Sequence, residues 1–228
     1  GVAMGITGTE VSKEAADMVL TDDNFASIEA AVEEGRCVFD NLVKFIVWAL
    51  PTNLGQGLVI LTAVFAGITL PILPVQSLSI NMTTAGSLGL MLAFEPREGG
   101  IMGRPPRHPQ SPMLSRELVG RVLLAGLLLM ASAFGLFEWE ELNGASHAQA
   151  RTVAVNAFAV ISTLYLLNCR SLDRSFWSIG IFSNPWILLG IVMMMMLQLA
   201  FTYLPFMNRL FHTEPIGLQS WMGIIAAG

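Results

Sequence analysis

The chain has 228 residues, of which 54% are hydrophobic and 13% are charged, with a formal net charge of −5 and a mean hydropathy of +0.62. Soluble domains carry about 25% charged residues, so this composition excludes an ordinary soluble domain and predicts a helical protein with several membrane spans. Basic residues are few and follow the edges of the apolar runs, which excludes a nucleic-acid-binding module. The two cysteines, Cys37 and Cys169, form no disulfide framework or metal-binding pattern.

The first forty residues have a soluble character, with acidic residues throughout. Gly1–Gly5 predicts the end of a buried strand, and Met18–Leu20 predicts a second short strand. Between them, residues 9–17 are helix-forming, with Thr9 or Ser12 as the N-cap. Because the chain begins without Met and ends in an apolar run, we expect a fragment of a longer protein.

A long helix is predicted to begin at Phe25, because apolar and charged residues alternate and no proline occurs before Pro51. This helix would run from the soluble segment into the first apolar stretch, so that motion at one end moves the other. The alternative is two helices that are separated at Gly35.

Six membrane spans are predicted from apolar runs, the last of them truncated, because about 20 apolar residues cross the bilayer core. They cover residues 42–66, 73–94, 117–138, 152–168, 185–205 and 215–228. Most basic residues fall on one side of these spans, and the positive-inside rule makes that side cytoplasmic. Residues 1–41 and the loops 95–116 and 169–184 are therefore expected in the cytoplasm, with Arg170 and Arg174 as inside-facing anchors at the membrane edge.

The loop 95–116 is rich in proline and arginine. Its composition leaves two interpretations open. It is either an extended segment that packs against cytoplasmic structure, or an unstructured connector between two spans.

Polar residues interrupt the first two spans at helical spacing. Asn53 and Gln56 are three residues apart, as are Asn81 and Thr84, so each pair shares a helix face. Mid-membrane polar side chains are costly unless they face protein or a water-filled cavity. Pro51 removes a backbone N–H and frees a carbonyl, and two glycines in the second span, Gly86 and Gly89, would allow local unwinding. Amide and carbonyl oxygens suit a hard cation, but the residues alone leave interhelical hydrogen bonding equally open.

Several segments resemble the P-type cation ATPases of the calcium- and sodium-pump type. The first 24 residues resemble the end of that family's phosphorylation domain, directly after its Mg-binding motif. The other matching segments, in the stalk and membrane helices, are DNLVKFI at 40–46, LPVQ at 73–76, INMTT at 80–84, AFEP at 93–96 and NCRS at 168–171.

The resemblance implies an α-helical polytopic membrane bundle, with a short α/β N-terminal remnant of a HAD-like phosphorylation domain. Residues 1–24 would end that domain, 25–41 would form the stalk helix, and 42–228 would form helices five to ten of the cation-transport domain. The intact parent would use ATP and Mg as cofactors. It would be an integral protein of the bacterial plasma membrane. The catalytic aspartate and the ATP site would lie in a missing N-terminal part, so this fragment alone should be inactive.

The resemblance also implies four cation-binding residues, Asn53, Gln56, Asn81 and Thr84, and it favours the ion site over interhelical hydrogen bonding. Pro51 and Ser162 are accessory candidates. Metal binding beyond the transported cation is not expected.

Three positions depart from the calcium-pump pattern, and each loses a carboxylate. Gln56 stands where Glu is usual, Ala85 where Asp is usual, and Ser162 where Glu is usual. The spans 42–94 and 152–168 contain no Asp or Glu. Two Ca²⁺ ions would have no fixed counter-charge here, and desolvation disfavours that arrangement. A single ion fits a neutral cage of amides and hydroxyls better than two Ca²⁺ ions, a monovalent ion is one such candidate, and the residues leave the identity of the cation open.

Two other functions compete with the pump. A passive channel or secondary-transporter piece would not need the soluble segment 1–41, and no inverted repeat relates 42–94 to 152–205. A pump-like scaffold that has lost transport is the third interpretation.

Overall fold

The computed structural model describes residues 1–108, 110–171, 180 and 183–228. The described part divides into two compact units. The first unit comprises Gly1–Asp40 and the segment that begins at Pro96, and the second comprises Asn41–Glu95 and the chain from Gln110.

The elements before the second membrane run are two short strands and two helices: β1 (Val2–Met4), α1 (Glu10–Ala15), β2 (Met18–Leu20) and α2 (Ala26–Ala66). The next are α3 (Pro74–Thr84), a π-helical segment (Ala85–Gly89), α4 (Leu90–Leu92) and a 3₁₀ turn (Ile101–Gly103). The remaining described helices are α5 (Arg116–Leu142), α6 (His147–Cys169), α7 (Pro185–Tyr203), α8 (Pro205–Phe211) and α9 (Leu218–Ala227).

The predicted strand–helix–strand arrangement at the start of the chain is confirmed. β1 and β2 pair in parallel, with Val2 opposite Met18 and Met4 opposite Leu20. Parallel strands need a crossover connection, and α1 lies within it. The hydroxyl of Thr9 accepts from the backbone N–H of Ser12 at 3.2 Å, which makes Thr9 the N-cap of α1.

Asp23 closes the turn after β2 in a left-handed conformation, with φ of 48°. Its carboxylate accepts from the backbone N–H groups of Ile6 at 2.8 Å and Thr7 at 2.7 Å, and from the Thr7 hydroxyl at 2.7 Å. The hydrogen bond from Ile6, followed by those from Thr7, lowers the pKa of Asp23, because these donors favour the ionised carboxylate. The turn after β2 is thereby tied to the loop after β1.

The long helix predicted from Phe25 is confirmed as one continuous element, α2, which begins at Ala26. The alternative of a break at Gly35 is wrong. Pro51 lies inside α2 without ending it.

The described part of the 95–116 loop that belongs to the first unit packs on the N-terminal half of α2. The Arg36 guanidinium donates to the carbonyls of Ile101 and Arg104, both at 2.8 Å, and Ile101 is buried. Arg104 forms an ion pair with Asp40 at 2.7 Å. The interpretation of this segment, 96–108, as an unstructured connector is therefore wrong.

Four of the described helices, α2, α5, α6 and α7, are long and apolar enough to cross a membrane. α9 is apolar but shorter. α5 and α6 extend beyond the predicted spans 117–138 and 152–168, so the connection between them, 143–146, is shorter than predicted. The residues of α6 make up much of the core of the second unit, where Ala154 and Phe158 pack against Leu129 and Phe137.

Candidate functional site

A polar cluster in the second unit joins α2 to α3. The Gln56 side chain is buried, with 3% of its surface exposed, and its Nε2 donates to Oδ1 of Asn81 at 3.0 Å. The Ser77 hydroxyl donates to Oε1 of the same Gln56. Ser77 and Asn81 are four residues apart and share a face of α3. Three neutral polar side chains from two helices therefore meet in one place, and we call them the amide cluster.

The amide cluster has the chemistry of a site for a small cation. The Gln56 Oε1, Asn81 Oδ1 and Ser77 Oγ atoms are all oxygen ligands of the kind that hard cations prefer. In the observed arrangement, the Gln56 amide group and the Ser77 hydroxyl donate to these oxygens. A bound cation would replace those donors, because each oxygen would turn a lone pair toward it.

Of the four predicted cation-binding residues, the structure brings Gln56 and Asn81 together. Asn53 is exposed, and its Nδ2 donates to the carbonyl of Ala49 at 2.9 Å on its own helix. Thr84 is buried, and its hydroxyl donates to the carbonyl of Ile80 at 2.7 Å. Neither side chain has a hydrogen bond to the amide cluster.

The sequence reasoning missed Ser77 as a member of this site. The signal was present in the spacing, because Ser77 precedes Asn81 by four residues and therefore lies on the same helix face. The spacing does not separate Ser77 from Thr84, which follows Asn81 by three residues and shares that face as well.

Pro51 frees a backbone carbonyl as predicted, but that carbonyl has another partner. Residue 51 lacks an N–H, so the carbonyl of Val47, four residues earlier, loses its helical donor. The Tyr165 hydroxyl on α6 donates to this Val47 oxygen at 3.3 Å. The carbonyl that Pro51 frees therefore takes part in a hydrogen bond between α2 and α6.

Replacing Tyr165 with Phe is expected to lower the free energy of unfolding by about 1 kcal/mol, because the Val47 carbonyl would be left without a donor. The measurement is thermal unfolding of the intact protein in detergent. Pro51→Ala is the matched background, since its new N–H restores the helical bond to Val47. In the Pro51→Ala background, Tyr165→Phe should lower the free energy of unfolding by markedly less. An equal loss in the two backgrounds would show that the Tyr165 hydroxyl does not satisfy the Val47 carbonyl.

Ser162, the second accessory candidate, is fully buried on α6. Its hydroxyl has no hydrogen-bond partner among the described residues, while its backbone carbonyl accepts from Trp48 Nε1 at 2.9 Å. A buried hydroxyl of this kind is an available ligand or donor.

The two glycines predicted to loosen the second span lie in the π-helical segment. The N–H of Leu90 reaches back five residues to the carbonyl of Ala85. A Cβ added at Gly190 of α7 would lie 2.2 Å from the Ser87 carbonyl oxygen, so only glycine allows this close approach. Single-turn π segments are frequent at functional sites, and this one follows directly after Thr84.

A second, charged cluster lies at the ends of α4, α6 and α7. Arg170 and Glu95 are both almost fully buried, and the guanidinium donates to Glu95 Oε1 at 3.0 Å through Nε and 2.9 Å through a terminal nitrogen. Asn184 donates to the other carboxylate oxygen at 2.7 Å, and Asn41 donates to the Glu95 carbonyl at 2.9 Å. The prediction of Arg170 as an anchor at the membrane edge is therefore wrong, because Arg170 is enclosed by protein. Arg174 lies outside the described residues.

Within the part of the chain that the structure describes, no group of three or more His, Cys, Asp or Glu side chains could hold a metal ion. The oxygens that the amide cluster offers are those of amides and a hydroxyl.

Comparison with known proteins identifies the family. The family model described as "Cation transporting ATPase, C-terminus" matches residues 69–228. The chain belongs to this family of cation-transporting ATPases. The resemblance to a C-terminal part of a P-type ATPase is thereby confirmed.

Curated relatives match along almost the whole chain. It is 62% identical over 226 residues to "Probable cation-transporting ATPase F" of Mycobacterium tuberculosis, covering 99% of this chain. It is 44% identical to "Cation-transporting ATPase pma1" of Synechocystis, covering 97% of this chain, and 36% identical to "Calcium-transporting ATPase" of Bacillus subtilis, covering 99%. The chain spans 25% of the length of each of these relatives.

The four apolar helices and these bacterial ATPase relatives identify an integral membrane protein of the bacterial plasma membrane. The structure adds the positions of the polar side chains among those helices.

Proposed function

We propose that this chain is the membrane part of an ATP-driven cation pump and that the amide cluster binds the transported cation. The observation that carries the proposal is the hydrogen bond between Gln56 Nε2 and Asn81 Oδ1, which joins two buried or half-buried amides from α2 and α3. The family resemblance also implies Asn53 and Thr84, with Ser162 and Pro51 as accessory positions, but Asn53 and Thr84 donate to carbonyls of their own helices rather than to the amide cluster. Family membership supports transport, since the matched family consists of cation-transporting ATPases.

The proposed ion is a single one, of low charge. Residues 42–94 and 152–168 contain no Asp or Glu, so the chain's own contribution to the site is neutral. Bringing two Ca²⁺ ions into a medium of low dielectric constant without counter-charges is strongly unfavourable. A monovalent cation needs less compensation from amide and hydroxyl oxygens.

Calcium is the second candidate, and a specific observation favours it. The relative from Bacillus subtilis, at 36% identity, is named a calcium-transporting ATPase. The two candidates differ in one measurable respect. A pump for a monovalent cation keeps its ATPase activity when Ca²⁺ is chelated, whereas activation only by micromolar Ca²⁺ would establish calcium.

The proposed architecture of the intact protein follows the family resemblance. Residues 1–24 end a HAD-like phosphorylation domain, residues 25–41 form the stalk helix, and residues 42–228 form the transport domain with six spans. The parallel pairing of β1 and β2 supports the first part. The succession of α3, the π segment and α4 supports a second span, because the 19 residues of 74–92 reach about 28 Å at 1.5 Å per residue. α9 would begin the sixth span.

In this proposal, the phospho-aspartate forms in a part of the intact protein outside this chain, with ATP and Mg, and residues 1–41 are cytoplasmic. The continuous helix α2 carries the coupling, since it extends from Ala26 to Ala66 and bears Gln56. The chain alone would therefore bind the cation without hydrolysing ATP.

Asn81→Ala in the intact protein is expected to raise the cation concentration needed for half-maximal phosphorylation by about tenfold or more, because one oxygen ligand is lost, at roughly 1.4 kcal/mol per factor of ten. The measurement is phosphoenzyme formation from labelled ATP during a cation titration with Ca²⁺ chelated. Asn143→Ala, which removes an exposed amide just after α5, is the control and should leave the titration unchanged. If the ion dependence of Asn81→Ala is unaltered, Asn81 does not bind the cation and only forms a hydrogen bond between helices.

A further inference from the structure

A pocket in the second unit lies where α9 begins beside the connection between α5 and α6. It has a volume of about 330 Å³, and it shares no lining residue with the amide cluster. A volume of this size suits a small organic molecule. Its walls combine apolar and polar side chains from α5, α6 and α9.

Backbone contacts at the helix ends fix the shape of this pocket. After α5, the Asn143 Nδ2 donates to the Trp139 carbonyl at 2.7 Å. The next residue, Gly144, has φ of 83°, a conformation that favours glycine. Just before α9, the Tyr203 hydroxyl on α7 donates to the Ile216 carbonyl at 2.9 Å. The pocket therefore needs little rearrangement to accept a ligand.

Four polar side chains that line the pocket have no hydrogen bond to the described part of the protein. They are Glu140, Gln149, Gln219 and Ser220. Ser220 is the most informative of them, because it is only 7% exposed. It lies in the first turn of α9, whose N-cap, Gly217, offers no side-chain acceptor to the first N–H groups. Buried polar groups need a partner, and the pocket is the space that can hold one.

The chemistry of the lining selects among classes of ligand. Glu140 is charged, and no Lys, Arg or His is among the described lining residues, so an anion would be repelled. An ammonium group would match Glu140, but it has no acceptor for the donors of Gln149, Gln219 and Ser220. A hydroxyl group both donates and accepts. A ligand with several hydroxyls therefore matches the carboxylate and these donors together.

We propose that this pocket binds a neutral saccharide. Sugar hydroxyls would donate to the Glu140 carboxylate and accept from the side chains of Gln149 and Ser220. The apolar face of the sugar ring would cover Trp139 and Leu136, which line the same pocket.

Two sources supply this chemistry, a free saccharide and the head group of a glycolipid. The pocket is at the end of α5 that lies opposite Arg116, and the helix is long enough to cross the membrane. In the proposed topology that end is outside the cytoplasm. Only this choice of side rests on the proposed function, because the binding measurements below require neither transport nor ATP.

The test is saturation-transfer NMR on the intact protein in phosphatidylcholine nanodiscs, since alkyl maltoside detergents would themselves supply a saccharide. The methyl glycosides of glucose, galactose, mannose and N-acetylglucosamine are offered in equal amounts. We expect saturation transfer to at least one of the four, above the level seen with empty nanodiscs. No transfer to any of them would overturn the proposal.

Glu140→Gln should weaken binding of that glycoside by about tenfold, because hydrogen bonds to a charged acceptor are stronger than those between neutral groups. Glu138→Gln is the matched control. It removes a carboxylate from the same helix, two residues earlier and outside the lining, and it should bind as the unaltered protein does. Equal binding by the two variants would contradict the proposed role of Glu140 and overturn the proposal.

A second variant fills the pocket without changing its charge. Gly223 lines the pocket on α9, and an added Cβ would lie 3.6 Å from the Leu136 side chain, an ordinary contact distance. Leucine is a better helix former than glycine, so Gly223→Leu should keep its unfolding temperature and lose most of the binding. Full binding by a folded Gly223→Leu would overturn the proposal.

The source of the saccharide is decided by competition with the octyl glycoside of the same sugar, below its critical micelle concentration. Displacement at about tenfold lower concentration than the methyl glycoside identifies a glycolipid head group, because the chain adds apolar burial. Equal potency identifies a free saccharide. Octyl phosphocholine is the control for the chain. If it displaces the methyl glycoside as well as the octyl glycoside does, the pocket does not recognise the sugar and the proposal is overturned.

Discussion

Replacing Arg170 with alanine is expected to cost about 3–5 kcal/mol of stability, the largest effect of any single change considered for this chain. The reason is that Glu95 would remain buried, with 5% of its surface exposed, without its cationic partner. A buried carboxylate that loses its counter-charge is not rehydrated by bulk water, so its desolvation is no longer offset. Asn184 would still donate to Glu95, but a neutral amide does not replace a guanidinium.

The measurement is thermal or denaturant unfolding of the intact protein in detergent, with Arg116→Ala as the control for loss of an exposed arginine. The double variant Glu95→Gln with Arg170→Gln should cost less than the sum of its single variants, because neither isolated charge remains. If Arg170→Ala is as stable as Arg116→Ala, the ion pair between Arg170 and Glu95 contributes nothing to the free energy of unfolding.

Gln56→Glu is expected to make phosphorylation of the intact protein respond to Ca²⁺, with an apparent affinity on the order of tenfold higher than that of the unaltered protein. The side chain keeps its shape and gains a fixed negative charge at a buried position. A divalent cation gains twice as much as a monovalent one from that charge, so selectivity should move toward Ca²⁺. The expectation depends on the proposed cation site.

Gln198→Glu is the matched control, because Gln198 is equally buried at 3% exposure but lies on α7, outside the amide cluster. Phosphoenzyme formation titrated with Ca²⁺ and with Na⁺ distinguishes the two variants. If both variants shift alike, a buried charge anywhere in the membrane part is responsible. If neither shifts, Gln56 does not face the ion.

Local patterns predicted the secondary structure well where the signal was strong. The Thr9 cap and the strand at Met18–Leu20 follow from residues close in sequence, and α2 follows from the lack of any proline before Pro51. Gln56 and Asn81 were both predicted as members of one site, and in the structure their side chains are hydrogen-bonded. The two residues are 25 positions apart in the sequence, so no local pattern could predict that they touch.

The neighbouring prediction shows the limit of helical spacing. Asn53 and Gln56 are three residues apart, which is about 300° around a helix and so an offset of about 60°. One of them is exposed and the other is buried. Spacing alone cannot tell which of two such positions faces the adjoining helix.

The sequence by itself determined that this chain is a membrane bundle with a polar, charged start, that its first two spans carry polar groups, and that residues 42–94 and 152–168 contain no Asp or Glu. These properties follow from composition, periodicity and residue identity. Only the tertiary structure decided that Glu95 pairs with Arg170, 75 residues away. It also decided that Tyr165 occupies the carbonyl that Pro51 frees. Such contacts depend on how helices pack, and helix packing is set by the sum of many weak side-chain contacts that no local pattern records.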